Sequence, residues 1–355
     1  MSTPSSLLCG HVINGWYVKE PVPTFKGQTG GVFSNGYIVT KDNKQAFLKA
    51  LDLHDALKTG IKKVEETTRQ FNFERELNNL CRDKRLSHIV TLIDDGEYQV
   101  DQLPTGINAE FNTVYYLIFE LADGGDIRRE ISFDGDKTDS WKCFVLHQVA
   151  VALTQLHKND IAHQDLKPSN VLSFKTDKKY KLSDLGRSNS KHHLAPTDIY
   201  AFPGDLSYAP PEYYYHHIPS DHQDRRYGSD AYLLGSMISF LFCGIGAINL
   251  TFSQLPQQYK NETWEGNYEE LLPFLIDAHS KATKSLAPYL PYQYKEEMAL
   301  MYFHLCHPNP QIRGHPTTRS QIGRKLGLDR YISRLDAIAK RLIIQDRNRS
   351  YVSDI

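Results

Sequence analysis

The strongest constraint on the fold is a change of period at "ADGGD", Ala122 to Asp126. Before it, apolar residues come in short β-rich runs. "YIVTKDNKQAFLKAL" is an apolar run, a polar "KDNK" turn and a second apolar run, the pattern of a hairpin. "HIVTLIDDGEY" and "VYYLIFELA" are two further runs, flanking the Pro/Gly/Asn loop "QVDQLPTGINAEFN". Residues 60–84 interrupt them with a helical pattern whose apolar-face candidates are Val64, Phe71, Leu77 and Leu80. After "ADGGD" the period is helical. Phe144, Val145, Val149, Leu153 and Leu156 form one stripe of "SWKCFVLHQVAVALTQLHKND", and "SDAYLLGSMISFL" and "KEEMALMYFHLCH" read the same way.

Strands followed by helices imply an α+β fold in two lobes. The small β-rich lobe, with one main helix, is placed at residues 12–122 and the larger helical lobe at 123–318. A basic amphipathic helical extension follows at 319–355. Leu328, Ile332, Leu335, Ile338 and Leu342 lie at helical spacing there, and nine Lys/Arg face three Asp between Arg319 and Arg349. Such a helix either docks on the large lobe or serves a partner or a second copy.

A chain of 355 residues is long enough for one two-lobed domain. Its net charge of −1 gives no global field for nucleic acid or membrane, and neither is expected as a partner. "MSTPSSLLCG" has neither a basic n-region nor a long apolar run, so no signal peptide is expected. The most apolar stretch, Ser236 to Phe252, is short and glycine-interrupted and reads as a buried helix followed by a turn. Cys9, Cys81, Cys143, Cys243 and Cys306 are scattered and lack CxxC spacing, as reduced thiols of a cytoplasmic protein would be.

"HQDLKPSN", His163 to Asn170, puts a carboxylate, an amine and a carboxamide close together at Asp165, Lys167 and Asn170. "VLSFKTDKKYKLSDLG" reads as strand, turn, strand and a glycine exit, which can return Asp184 to Asn170. An amide and a carboxylate as oxygen donors suit Mg²⁺. "AFLK" ends a strand at Lys49, and "ERELNNL" sets Glu76 and Leu80 on one helical face. Phosphoryl transfer needs such a set: a lysine on the phosphates, a glutamate on the lysine, metal ligands, and a carboxylate for the attacking hydroxyl.

In their order along residues 25–315, these segments resemble the protein-kinase signatures: a strand lysine, a helix glutamate, H-R-D-L-x-x-x-N, D-F-G and A-P-E. The resemblance implies that Lys49 holds the phosphates with Glu76 as its partner. It makes Asp165 the catalytic base, turns Lys167 to the transferring phosphate, and gives Asn170 and Asp184 to the metal. It places Phe119 behind adenine, the backbone of Glu120 to Ala122 at its edge, and Asp126 toward the ribose. Glu212 of "YAPPE" would pair with Arg313, and Asp230 would anchor the catalytic loop. ATP and Mg²⁺ or Mn²⁺ are the implied cofactors, and a protein with a Ser/Thr acceptor the implied substrate, with autophosphorylation at Ser188, Ser190, Thr197 or Tyr200. The second reading is a kinase-like module that binds nucleotide or a partner without turnover.

Three departures stand out. No clean GxGxxG is present; Gly30 and Gly31, with Phe33 at the tip and Ser34 beyond, are read as the phosphate-covering turn, the other register beginning at Gly27. Gln164 replaces the arginine that in the family pairs with an activation-segment phosphate. Neutral contacts or a partner are therefore expected to hold that segment. Asp205, seven residues before Glu212, stands where a threonine is usual.

Overall fold

The computed structural model describes residues 3–22, 34–101, 112–133 and 137–353. Asp42 and Asn43 both adopt left-handed backbone, with φ of 49° and 61°. Two such residues in succession make the turn that suits the twist of a hairpin, and Asn and Asp tolerate it best among non-glycine residues. They join β3 (Ser34–Lys41) to β4 (Lys44–Leu51). With β1 (Val12–Ile13), β2 (Trp16–Pro21), β5 (Leu92–Gln99) and β6 (Thr113–Glu120) these form one antiparallel sheet, in the order β1-β2-β3-β4-β6-β5. Between β4 and β5 run α1 (Leu53–Thr59) and α2 (Ile61–Asp83).

Alternation along β4 gives the sheet two apolar faces. Ala46, Leu48 and Ala50, with Tyr37 and Val39, meet Leu8, Ile13 and Trp16. Leu51, Leu92, Leu117 and Phe119 meet Phe71 of α2 on the other face. The first face is partly closed by residues that precede the expected boundary at 12. Leu8 is fully buried, Thr3 Oγ1 donates to Asp52 Oδ2 at 2.7 Å, and Tyr37 donates to the carbonyl of Ser5 at 2.6 Å. The small lobe therefore begins at least as early as Thr3; a strap of this kind has no periodicity by which it could be read.

The large lobe follows: β7 (Gly125–Asp126), α3 (Ile127–Phe133), α4 (Asp139–His157), β8 (Ile161–Ala162), β9 (Val171–Phe174), β10 (Lys179–Leu182) and β11 (Asn189–Ser190). Then come α5 (Pro211–Tyr214), α6 (His222–Arg225), α7 (Tyr227–Cys243), α8 (Ala247–Ser253), α9 (Tyr268–Leu286), α10 (Lys295–Leu305), α11 (Pro316–Arg319) and α12 (Asp329–Ser353). The apolar stretch covers the second half of the buried α7, which ends at Gly244 with φ 76°, and most of α8, a second short helix where only a turn was expected. Among the described residues no single helix is long and apolar enough to cross a membrane.

α12 follows the first of the two expected courses and docks on the large lobe. Tyr331, Leu335, Ile338 and Leu342 join the same core as Leu146, Val149 and Leu153 of α4. These residues of its apolar stripe are thus covered by the helix's own lobe. Part of the basic flank is paired: Arg319 with Asp224 at 2.7 Å, and Lys325 with Asp221 and Asp224 at 2.6 and 2.9 Å.

Two histidines make this lobe acid-sensitive. Burial pulls both His279 and His307 down to about 4, with the Arg313 charge adding to it. In the unfolded chain a histidine titrates near 6.5, so between those values the unfolded state binds protons that the folded state refuses. Stability is intact above about pH 6.5 and falls as pH drops toward 4, by roughly 3 kcal/mol per histidine at the limit. Urea titrations from pH 7 to 4.5 should show this decline, and His279→Gln, whose amide can still donate to the Phe303 carbonyl as His279 Nε2 does, should flatten it. An unchanged slope in His279→Gln would exclude His279 as a source.

Candidate active site

Lys49 lies on β4 opposite the face of Leu48 and Ala50, so it points into the cleft below the sheet. Its Nζ lies 2.8 Å from both Oε1 and Oε2 of one glutamate, and that residue is Glu74, not Glu76. α2 turns Phe71, Glu74, Leu77, Asn78 and Cys81 inward, at steps of three and one that trace one face. Glu76 stands two residues, about 200°, away from Glu74 and is exposed. Pairing Glu76 with Leu80 selected the wrong stripe; the spacing of Phe71, Leu77 and Cys81 marks the right one. Burial opposes the Lys49 charge, but Glu74 and then Asp184 outweigh it and hold the amine above its ordinary value. Burial likewise holds the Glu74 carboxyl above the usual carboxylate range, against the pull of Lys49. Glu74→Gln should therefore lower turnover by about a hundredfold, as loss of a pre-set electrostatic contact does, while Glu76→Gln stays within about twofold. Steady-state kinetics on the two variants check this.

The loop that carries Asp165 hangs from α7. Asp230, fully buried, accepts from the backbone N–H of His163 at 2.8 Å and of Gln164 at 2.7 Å, and His157 Nε2 lies 2.9 Å away. His163 ties the loop to the strand exit. Its Nε2 faces the Ser183 carbonyl at 3.1 Å, so that nitrogen carries the proton and Nδ1 is left to accept from Asp165 N–H at 3.2 Å. Asp165 is buried and bracketed. Lys167 Nζ and Asn170 Nδ2 both lie 3.1 Å from Oδ2, and the backbone N–H of Asp205 donates to Oδ1 at 2.8 Å. That approach demands a glycine next door: a Cβ on Gly204 would fall 2.1 Å from the Gln164 carbonyl oxygen. A carboxylate offers about four acceptor positions. Three are taken, which leaves one for an incoming hydroxyl.

Asp205 also reaches this cluster. Its carboxylate caps Ser207 and lies 3.5 Å from Lys167 Nζ. Burial pushes its carboxyl up, but Ser207 and Lys167 win and hold it below the usual range.

β9 and β10 form the expected hairpin, and Ser183 N–H donates to the Asn170 carbonyl at 3.0 Å, which sets Asp184 beside the loop. Asp184 has φ 61° and an exposed side chain, 3.8 Å from Lys49 Nζ. Burial of the region raises its carboxyl, but nearby positive charge, Lys49 foremost, outweighs that and holds it below the usual range. Asn170 directs its amide N–H at Asp165, so Oδ1 is the atom left for a cation; it receives one long contact, 3.4 Å from Ser169 Oγ. One amide oxygen and one ionised carboxylate suit Mg²⁺, which completes its shell with phosphate and water.

Where the lobes join, Phe119 is buried in the inner apolar face. The Glu120 side chain turns away to Lys181, 2.7 Å from each oxygen, and to the backbone N–H of Thr91. The chain leaves β6 there, and Ala122 and Leu172 both pack against that inner face. Asp126, expected toward the ribose, is turned to the start of α3. It is buried, and its carboxylate accepts from the N–H groups of Arg128 and Arg129 at the start of α3. Ser34 opens β3; Gly30, Gly31 and Phe33 lie outside the described residues.

Arg313 and Glu212 pair as the resemblance implied, fully buried, with contacts of 2.8 and 2.7 Å. Three of the four candidate hydroxyls of the activation segment, Ser188, Ser190 and Thr197, are buried; Tyr200 is exposed.

Residues 30–320 match the family model described as "Protein kinase domain". Over 163 residues, or 46% of this chain, the sequence is 28% identical to "Mitogen-activated protein kinase 9" of Arabidopsis thaliana, covering 31% of that protein. The same share is 29% identical to "Mitogen-activated protein kinase 15" of Arabidopsis thaliana and 28% identical to the protein of that name in Oryza sativa subsp. japonica, covering 27% and 31% of them. The matched region spans less than a third of these relatives.

Proposed function

Because the chain belongs to the protein kinase domain family, we propose that it transfers the γ-phosphoryl group of ATP to Ser or Thr hydroxyls of a protein substrate, with Mg²⁺ as the metal. One observation carries the reading. The Lys49–Glu74 pair is closed at the same time as Asp165 is bracketed by Lys167, Asn170 and the Asp205 N–H. A binding module has no need of that second set.

In this reading Asp165 accepts and orients the acceptor hydroxyl and takes its proton. Lys49, held by Glu74, binds phosphate oxygens, and Lys167 faces the charge that builds on the transferred group. Asn170 Oδ1 and the Asp184 carboxylate would hold Mg²⁺, which when bound neutralises phosphate charge; Mn²⁺ takes the same oxygen donors. Autophosphorylation at Ser188, Ser190 or Thr197 requires the segment to open, so the acceptor protein is the more accessible target. Five free thiols support a reducing, cytoplasmic setting.

The test is γ-labelled ATP with Mg²⁺ or Mn²⁺ and casein as acceptor, beside Asp184→Asn. Label on serine or threonine, in casein or in the chain itself, that disappears in Asp184→Asn supports the reading. Nucleotide binding by thermal shift without label under either metal would replace it with the binding module.

A further inference from the structure

Gln164 is the residue that most separates this chain from the family pattern, and the structure shows what surrounds it. It is fully buried at φ 65°, and its side-chain amide donates to the Arg226 carbonyl at 2.7 Å. In return its Oε1 accepts from Arg226 Nη1 at 3.3 Å. Arg226, at the N-terminus of α7, is itself only 3% exposed, and its Nη2 lies 2.6 Å from Asp198 Oδ1. Asp198 sits in the activation segment, on the short turn Pro196–Ile199. The same Oδ1 accepts from Asn189 Nδ2 at 2.6 Å, and Oδ2 accepts from the Ala195 N–H at 3.3 Å. His222 Nε2 lies 3.2 Å from Asn189 Oδ1 and backs the group.

We propose that Asp198 is a positioning residue whose permanent carboxylate, clamped by Arg226 and Asn189, holds the activation segment in its working place without phosphorylation. The proposal rests on the kinase reading above. It also corrects the expectation of neutral contacts: the segment is held by a charge pair, with the cation moved from the catalytic loop to α7. This accounts for the neutral side chain at 164. An arginine there would bury a second guanidinium against Arg226, whereas the Gln164 amide satisfies Arg226 at both its carbonyl and its side chain.

The clamp is hard to open because Arg226 is buried. Releasing Asp198 would leave a guanidinium with one long amide contact in place of a carboxylate, the costly state for a buried charge. Its reach extends to the active centre through three connections. Arg225 Nη2 donates to the Tyr200 carbonyl at 3.1 Å, and the Tyr200 hydroxyl donates to Glu66 Oε1 of α2 at 3.0 Å. Gln70 of α2 donates to the Gly186 carbonyl at 3.2 Å. α2 carries Glu74, so the placed segment braces the helix that holds Lys49. At its far end the segment delivers the Asp205 N–H to Asp165.

The experiment combines hydrogen exchange over residues 189–200 with kinetics on casein, for the wild type, Asp198→Asn and Asp198→Glu. Asp198→Asn keeps the shape and removes the charge. Exchange in the segment should rise and kcat fall by about a hundredfold, the scale of a small misplacement of reacting groups, with the KM for ATP within about twofold. Asp198→Glu should restore most of both. Wild-type protein treated with a phosphatase should keep its turnover. Unchanged exchange in Asp198→Asn, or loss of wild-type turnover on phosphatase treatment, overturns the clamp. If the wild type transfers no phosphate while Asp198→Asn still loosens the segment, the clamp stands and the kinase reading falls.

Discussion

Asp165→Ala should reduce phosphoryl transfer by about a thousandfold or more, while ATP affinity changes by less than about threefold. Asp165 is held from three sides, by Lys167, Asn170 and the Asp205 N–H. Those contacts fix its rotamer and leave a single acceptor position for a hydroxyl. Alanine removes the proposed base without placing a new donor opposite two existing ones, as asparagine would. Lys49, Glu74 and Asp184 do not rely on Asp165, so the nucleotide should bind as before. Single-turnover transfer and calorimetric ATP titration on the same preparation separate the two quantities. The nearby alternative is Asp205, 3.5 Å from Lys167 Nζ. Substantial residual transfer in Asp165→Ala that vanishes on adding Asp205→Ala would move the base to that position.

The parts of this site that were legible in the sequence are those fixed by local chain geometry. A two-residue turn sets the β3–β4 hairpin, so Lys49 falls on the cleft face by alternation alone. The short spacing of Asp165, Lys167 and Asn170 leaves them no choice but to be neighbours, and the β9–β10 hairpin returns Asp184 to them. What was not legible depends on which side of an element meets another. α2 is rich in charge all round, and its sequence offers two stripes. Only the position of the sheet decides for Glu74 over Glu76. Asp126 shows the same limit, since an exposed-looking carboxylate next to a glycine pair can cap a helix as readily as meet a ligand. The Asp198–Arg226 contact joins residues 28 apart with no periodic pattern between them. Similarly, the strap from Thr3 to Leu8 gives no pattern, because it is neither strand nor α-helix where it covers the sheet.

Glu212→Ala should destabilise the folded chain by about 3–5 kcal/mol, the largest single loss expected at any one side chain here. The reason is what it leaves behind. Arg313 is fully buried; besides Glu212 it has only the carbonyls of His307, Gly228 and Pro308, at 2.9, 3.3 and 3.4 Å, and the face of Tyr232. Burial alone would push the guanidinium toward neutrality, but Glu212 more than offsets it and keeps the charge in place. Carbonyl dipoles cannot replace a carboxylate gripped by two parallel N–H bonds. The double variant Glu212→Leu, Arg313→Met removes both charges and fills similar space, so it should lose distinctly less stability than Glu212→Ala alone. Urea denaturation of both variants reads the difference directly. A double variant as unstable as the single one would mean that the pair contributes net attraction, not merely mutual compensation. Either way the contact matters to the site, because it fastens α5, where the activation segment ends, to the Gly228 carbonyl at the base of α7. α7 also carries Asp230 and so suspends the loop that holds Asp165. A chain that loses this anchor should lose activity through the position of Asp165 even at temperatures where it remains folded.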